Sequence, residues 1–250
     1  MKQIISPLLL IVLLLISFSN AYQKLYVNFI PFESVQCSGN PSGIGYGGLI
    51  NTCFTFDNSR NWLFKYLEQE NSISFTQYYN KGGVTELCEI KSMKTRTALI
   101  GECVSGKDLV FNSFYQSVNY DSSSSSSSSS STPEIYYLIQ ITKDQPFIAP
   151  SSTVVSHNYG DCTDGDSDII YYETFSNQTQ VFIPIFGTVS EFYCLNNTPM
   201  AMTCENNGSN CTNPQDQTTI CEAVSPFFNT TASDMSSGDT LYTFNNYCSY

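Results

Sequence analysis

Between Asp161 and Asp168 the chain reads DCTDGDSD, four carboxylates in eight residues with a cysteine among them and no cation alongside. Carboxylates at alternate positions suit calcium, a hard cation that takes roughly six to eight oxygen ligands. Numbered as an EF-hand from Asp164, the stretch puts Asp164, Asp166 and Asp168 at the first, third and fifth places. Ile169 then stands where the loop needs glycine, and Phe175 where it needs a bidentate glutamate. The expectation is an acidic turn without a cofactor. The alternative is a calcium site at Asp164, Asp166 and Asp168 that stiffens an extracellular binding protein.

His157 is the sole histidine, so any Ser-His-Asp or Cys-His arrangement has to use it. No G-x-S-x-G elbow occurs. VVSHNYGDC reads as a strand end entering a turn, which leaves the imidazole exposed or satisfied by polar neighbours. Zinc would want several thiolates or imidazoles, which one histidine and oxidised cysteines do not supply. A glycosidase needs only two facing carboxylates, and 22 acids leave that open. With one tryptophan, Trp62, its sugar platform would fall to Tyr or Phe. No catalytic residue is assigned, and a carbohydrate-binding module or glycoside hydrolase stands as the second reading. Lys91, Lys94 and Arg96 in KSMKTR, flanked by Lys81 and Lys107, form the densest basic patch. Either it guards an edge strand, or it faces acidic surface and orders an assembly.

The elements that would carry these groups are strands. KLYVNFI, NWLFKYL, SISFTQYY, TALIGECV, LVFNSFYQSV, EIYYLIQIT, DIIYYETF, QVFIPIFG and DTLYTF are short, aromatic or β-branched, and bounded by turn residues. RNWLFKYLEQEN is the one helix candidate, and its aromatics suit a strand equally. The fold class expected is all-β, an antiparallel sandwich or barrel-like structure tied by disulfides. The serine run Ser122–Ser131 cannot pack a core. It separates a 22–120 segment from a 134–250 segment, with 121–133 as linker or loop. These are either two β lobes or one domain with an expanded surface loop.

Residues 1–21 open with Lys2, continue through an apolar core from Ile4 to Phe18 and end on Ser19-Asn20-Ala21, the pattern of a cleaved signal peptide. All ten cysteines lie beyond it: Cys37, Cys53, Cys88, Cys103, Cys162, Cys194, Cys204, Cys211, Cys221 and Cys248. An even count in an exported chain implies disulfides of open connectivity, and Cys211–Cys221 would make a local bridge. Sequons at Asn177, Asn196, Asn207, Asn210 and Asn229 point to N-glycosylation on the same route. The expected location is extracellular, with no stable membrane insertion. The formal net charge is −12, and no Lys or Arg follows Lys143 while 12 acids do. Nucleic acid is a poor partner for such a chain, and basic or cationic partners are better ones.

YVNFIPFESVQC close behind the leader, the paired cysteines, the serine homopolymer and the Asn/Thr-rich tail together resemble the small secreted proteins of social amoebae grouped with the counting-factor-associated proteins. The resemblance implies an extracellular role in cell-number sensing or another developmental signal, within a secreted complex of proteins. It carries over only the cysteines, as structural residues.

Overall fold

The computed structural model describes residues 23–57, 60–79, 88, 92–107, 109, 116–117, 134–159, 169–176, 178–183, 188–205, 209–224 and 242–249. Before the serine run come β1 (Leu25–Phe32), β2 (Ile44–Leu49), β3 (Cys53–Asp57), β4 (Arg60–Leu67), β5 (Ser72–Tyr79), β6 (Ser92–Leu99), β7 (Cys103–Ser105) and β8 (Gln116–Ser117). After it come β9 (Tyr136–Lys143), β10 (Thr153–Tyr159), β11 (Ile169–Phe175), β12 (Thr179–Ile183), β13 (Thr188–Leu195), β14 (Thr198–Glu205), β15 (Gln215–Asp216), β16 (Thr219–Val224) and β17 (Tyr242–Cys248). They form three antiparallel sheets, ordered β16-β17-β10-β11-β2-β1-β9-β7, β15-β14-β13-β12-β8 and β3-β4-β5-β6. Each order is open-ended, so the all-β architecture is layered and no sheet closes into a barrel.

The stretch that allowed a helix is β4. Trp62 and Phe64 alternate into the core, 4% and 0% exposed, which is the period of a strand. β4 pairs with β5 along its length, from Arg60↔Tyr79 to Leu67↔Ser72. A 3-10 turn at Glu68–Glu70 makes the reversal, closed by Asn71 in the left-handed region at φ 45°. The β13–β14 hairpin uses the same device twice: Asn196 and Asn197 take φ 51° and 65°, the geometry of a tight two-residue turn.

The eight-stranded sheet is covered on both faces. One face carries Val27, Phe29, Tyr46, Ile139, Tyr171 and Phe175, and the two smaller sheets supply its cover. Phe54 of β3 stacks on Tyr171 with ring centroids 5.0 Å apart, and Phe64 and Phe75 meet Phe29 at 5.7 and 6.2 Å. Phe192 of β13 stacks on Phe175 at 4.4 Å. Each such ring contributes about 1.5–3 kcal/mol by leaving water.

Across the opposite face runs the β9–β10 connection. The Phe147 N–H donates to Asn28 Oδ1 at 2.8 Å, and the Tyr172 hydroxyl donates to the same oxygen. The Asn28 amide in turn donates to Gln140 O and Thr142 Oγ1. A side chain with no exposed surface thereby has its polar atoms satisfied. Tyr172 lies against Gly47, where an added Cβ would sit 2.2 Å from the ring, so β2 needs glycine there.

Strands from both sides of the serine run interleave in the large sheet, β1 pairing with β9 and β2 with β11. That is the arrangement of a serine expansion within one sheet's connectivity, whereas two lobes would close separate sheets. The bridges Cys37–Cys103, Cys53–Cys88, Cys194–Cys248 and Cys204–Cys211 are formed, nested on each side of the run. Cys211 therefore does not bond Cys221. Cys204 on β14 lies closer to it in the chain, and the short loop between them brings their Cα atoms to 3.9 Å. Cys162 lies outside the described residues.

Candidate functional site

The most unusual chemistry in the molecule lies under the seam between the two smaller sheets. On β11, Tyr171 is capped by Phe54 of the four-stranded sheet and Phe175 by Phe192 of the five-stranded sheet. Glu173 stands between them on the same face, opposite Tyr46 on β2 and Val155 on β10. It is 5% exposed. Its Oε1 accepts a hydrogen bond from the Tyr171 hydroxyl at 2.9 Å. Burial disfavours the carboxylate and raises the Glu173 pKa to about 7, against a smaller opposing pull from that hydrogen bond.

His157 follows on β10, in register with Tyr171, and its ring lies 5.7 Å from the tyrosine ring. It sits within a strand of seven residues rather than at a strand end entering a turn. The ring is partly buried, not exposed, and desolvation lowers its pKa to about 4. Tyr137 completes the group. Its hydroxyl donates to Ile44 O at 3.1 Å, and burial followed by the charge of Glu173 pushes its pKa far up.

The arrangement can hold a proton on Glu173 and keep His157 neutral at the pH where free side chains would do the reverse. It offers no room for a substrate. A hollow on the other face of the sheet, lined by Phe29, Ile30, Tyr46, Phe147, Tyr172 and Thr174 among others, holds about 10 Å³, about the least a single water requires. Glu173 escaped the sequence reading because DIIYYETF was taken for its strand character alone. A lone acid in an otherwise apolar strand was the available signal.

Trp62 is 4% exposed and cannot serve as a surface sugar platform. Asp164, Asp166 and Asp168 lie outside the described residues, as do Lys81 and Lys91 and the sequons Asn177, Asn207 and Asn229. The other two sequon asparagines are exposed: Asn196 in its hairpin turn and Asn210, whose amide donates to Glu205 Oε1 at 3.0 Å. Lys107 pairs at 3.1 Å with Glu134, an acid from beyond the serine run. The Glu134 carboxyl is held below its ordinary range first by the Ser105 hydroxyl and then by Lys107.

Lys94 and Arg96 fall on β6, the edge of the four-stranded sheet. Its residues are exposed from Ser92 through Thr95, with Met93 and Leu99 at 41% and 44%. No helix among the described residues is long and apolar enough to cross a membrane.

The sequence model of a family described as Counting factor-associated protein A/B/C matches residues 1–233. An uncharacterized protein of Dictyostelium discoideum is 30% identical over 239 residues, covering 93% of this chain and 70% of the relative. No solved structure matches.

Proposed function

The chain belongs to the counting factor-associated protein family, and from that premise we propose that it works outside the cell by associating with other secreted proteins, without catalysis of its own. The observation that carries this reading is the set of four disulfide bridges, bonds that persist in oxidising compartments and are reduced in the cytosol. The acid and base groups of the seam support it as well, since they are closed off from any substrate by the sheets above them. In this proposal residues 1–21 are a cleaved signal peptide, the exposed Asn196 and Asn210 carry glycans, and the complex serves a cell-number or developmental signal.

The test is the native mass of the protein in medium conditioned by its own cells, by size exclusion with light scattering. The expected result is a mass well above that of the glycosylated monomer, with a fixed set of co-eluting proteins. A monomeric mass would overturn the association.

A further inference from the structure

We propose that this protein also assembles with itself, the β6 edge of one copy pairing antiparallel with the β16 edge of another. The inference rests on the extracellular association reading and names one partner within it. Both strands end their sheets, β6 the four-stranded and β16 the eight-stranded one, so each has backbone groups along one side that no described strand takes up. They are of similar length, eight and six residues. Each exposes apolar surface that pairing would cover: Met93 and Leu99 on β6, and on β16 Ile220, which is 82% exposed.

Charge chooses between the available pairings. Lys94 and Arg96 lie in register with Gln77 and Phe75, the buried row of β5, so both cations stand on the rim of the sheet. Among the described residues neither has an acidic partner. A symmetric β6–β6 contact would set these cations against their copies, which is how edge strands are commonly kept apart. An acid-bearing strand removes that repulsion. β16 carries Glu222, and it belongs to the half of the chain that has 12 acids and no Lys or Arg beyond Lys143. A contact between two different edges is heterologous, so each copy keeps one free β6 and one free β16, and growth continues until geometry closes a ring.

The experiment uses the purified, glycosylated full-length protein alone, so that no other secreted component is present. Sedimentation is followed up to about 100 μM, the range in which a weak edge contact registers. Salt is set at about 0.1 M and about 1 M, where charges are felt over about 10 Å and about 3 Å. The wild type should associate at low salt and dissociate at high salt. The K94E/R96E variant, whose changes fall on exposed edge positions, should weaken association at least about tenfold while melting like the wild type. The E222K variant should do the same. Mixing the two should restore assembly, because the acidic β6 of one then meets the basic β16 of the other. Wild type that stays monomeric, or association that survives K94E/R96E, overturns the proposal. Either result leaves a large complex in conditioned medium intact, which separates failure here from failure of the functional reading.

Discussion

Replacing Glu173 with Gln should turn a nearly flat pH profile of stability into a sloping one. In the unfolded chain this carboxyl titrates near its ordinary 4.5, and in the fold at about 7. Below pH 4.5 both states hold the proton, and burial of the side chain carries no charge cost. Between 4.5 and 7 the unfolded chain releases its proton first, so stability falls as the pH rises, and above about 7 the whole cost is present. At about 1.4 kcal/mol per pH unit the gap amounts to about 3 kcal/mol, roughly 6–12 °C in Tm for a chain of this size.

His157 works with the opposite sign. Its folded pKa of about 4 lies below the ordinary 6.5, so the stability it permits is present above 6.5 and is lost as the pH falls towards 4. The ring keeps part of its surface in water, which makes its arm the shallower one. The two slopes therefore oppose each other over much of one window in the wild type. Glu173→Gln keeps the acceptor for Tyr171 and removes the falling arm, so urea unfolding from about pH 4.5 to about pH 8 should show stability that only rises. The variant should gain on the wild type by about 3 kcal/mol across that range. Parallel profiles for the two proteins would refute the reasoning, because they would mean that the carboxylate is hydrated in the fold.

Three further outcomes follow from the packing. Removing Cys37–Cys103, whose ends are 66 residues apart, should cost about 4 kcal/mol in unfolding free energy by the loop-closure relation. Removing Cys204–Cys211, with ends 7 apart, should cost about 2 kcal/mol. Equal losses in urea titrations would mean that the bridges do not act by restricting the unfolded chain. Gly47→Ala places a methyl 2.2 Å from atoms of the buried Tyr172 ring, and it should lower stability by about 1–3 kcal/mol through overpacking. A melting temperature equal to wild type would show that the ring has somewhere to go. Tyr172→Phe leaves Asn28 Oδ1 without its hydroxyl donor and should cost about 1 kcal/mol, read in the same assay.

The strands were legible wherever side-chain shape made them so. SISFTQYY is β5 from its first residue to its last, and EIYYLIQIT contains all but the last residue of β9. β2 went unread because IGYGGL is poor in β-formers, yet its glycines are demanded by neighbours far along the chain, Tyr172 over Gly47 and Phe64 beside Gly48. Their reason is tertiary, and no window of sequence contains it. The same holds for Glu173. Its strand is buried on both faces, so no alternation of polar and apolar residues announces which way the acid points. RNWLFKYL admitted two periods, and the pairing with β5 decided between them. The export reading needed no geometry, since cysteine parity and the apolar leader are properties of composition.

The serine run also divides the molecule's covalent ties in a way its sheets ignore. The four described bridges each join residues on one side of the run, whereas β1 with β9 and β2 with β11 join residues across it. A protease that cleaved among the serines would therefore leave two fragments with no described bridge between them, held by hydrogen bonds and buried rings alone. The nicked protein would keep its native size until denatured, then separate even without a reducing agent. Two fragments made apart could complement one another, each arriving with its bridges closed.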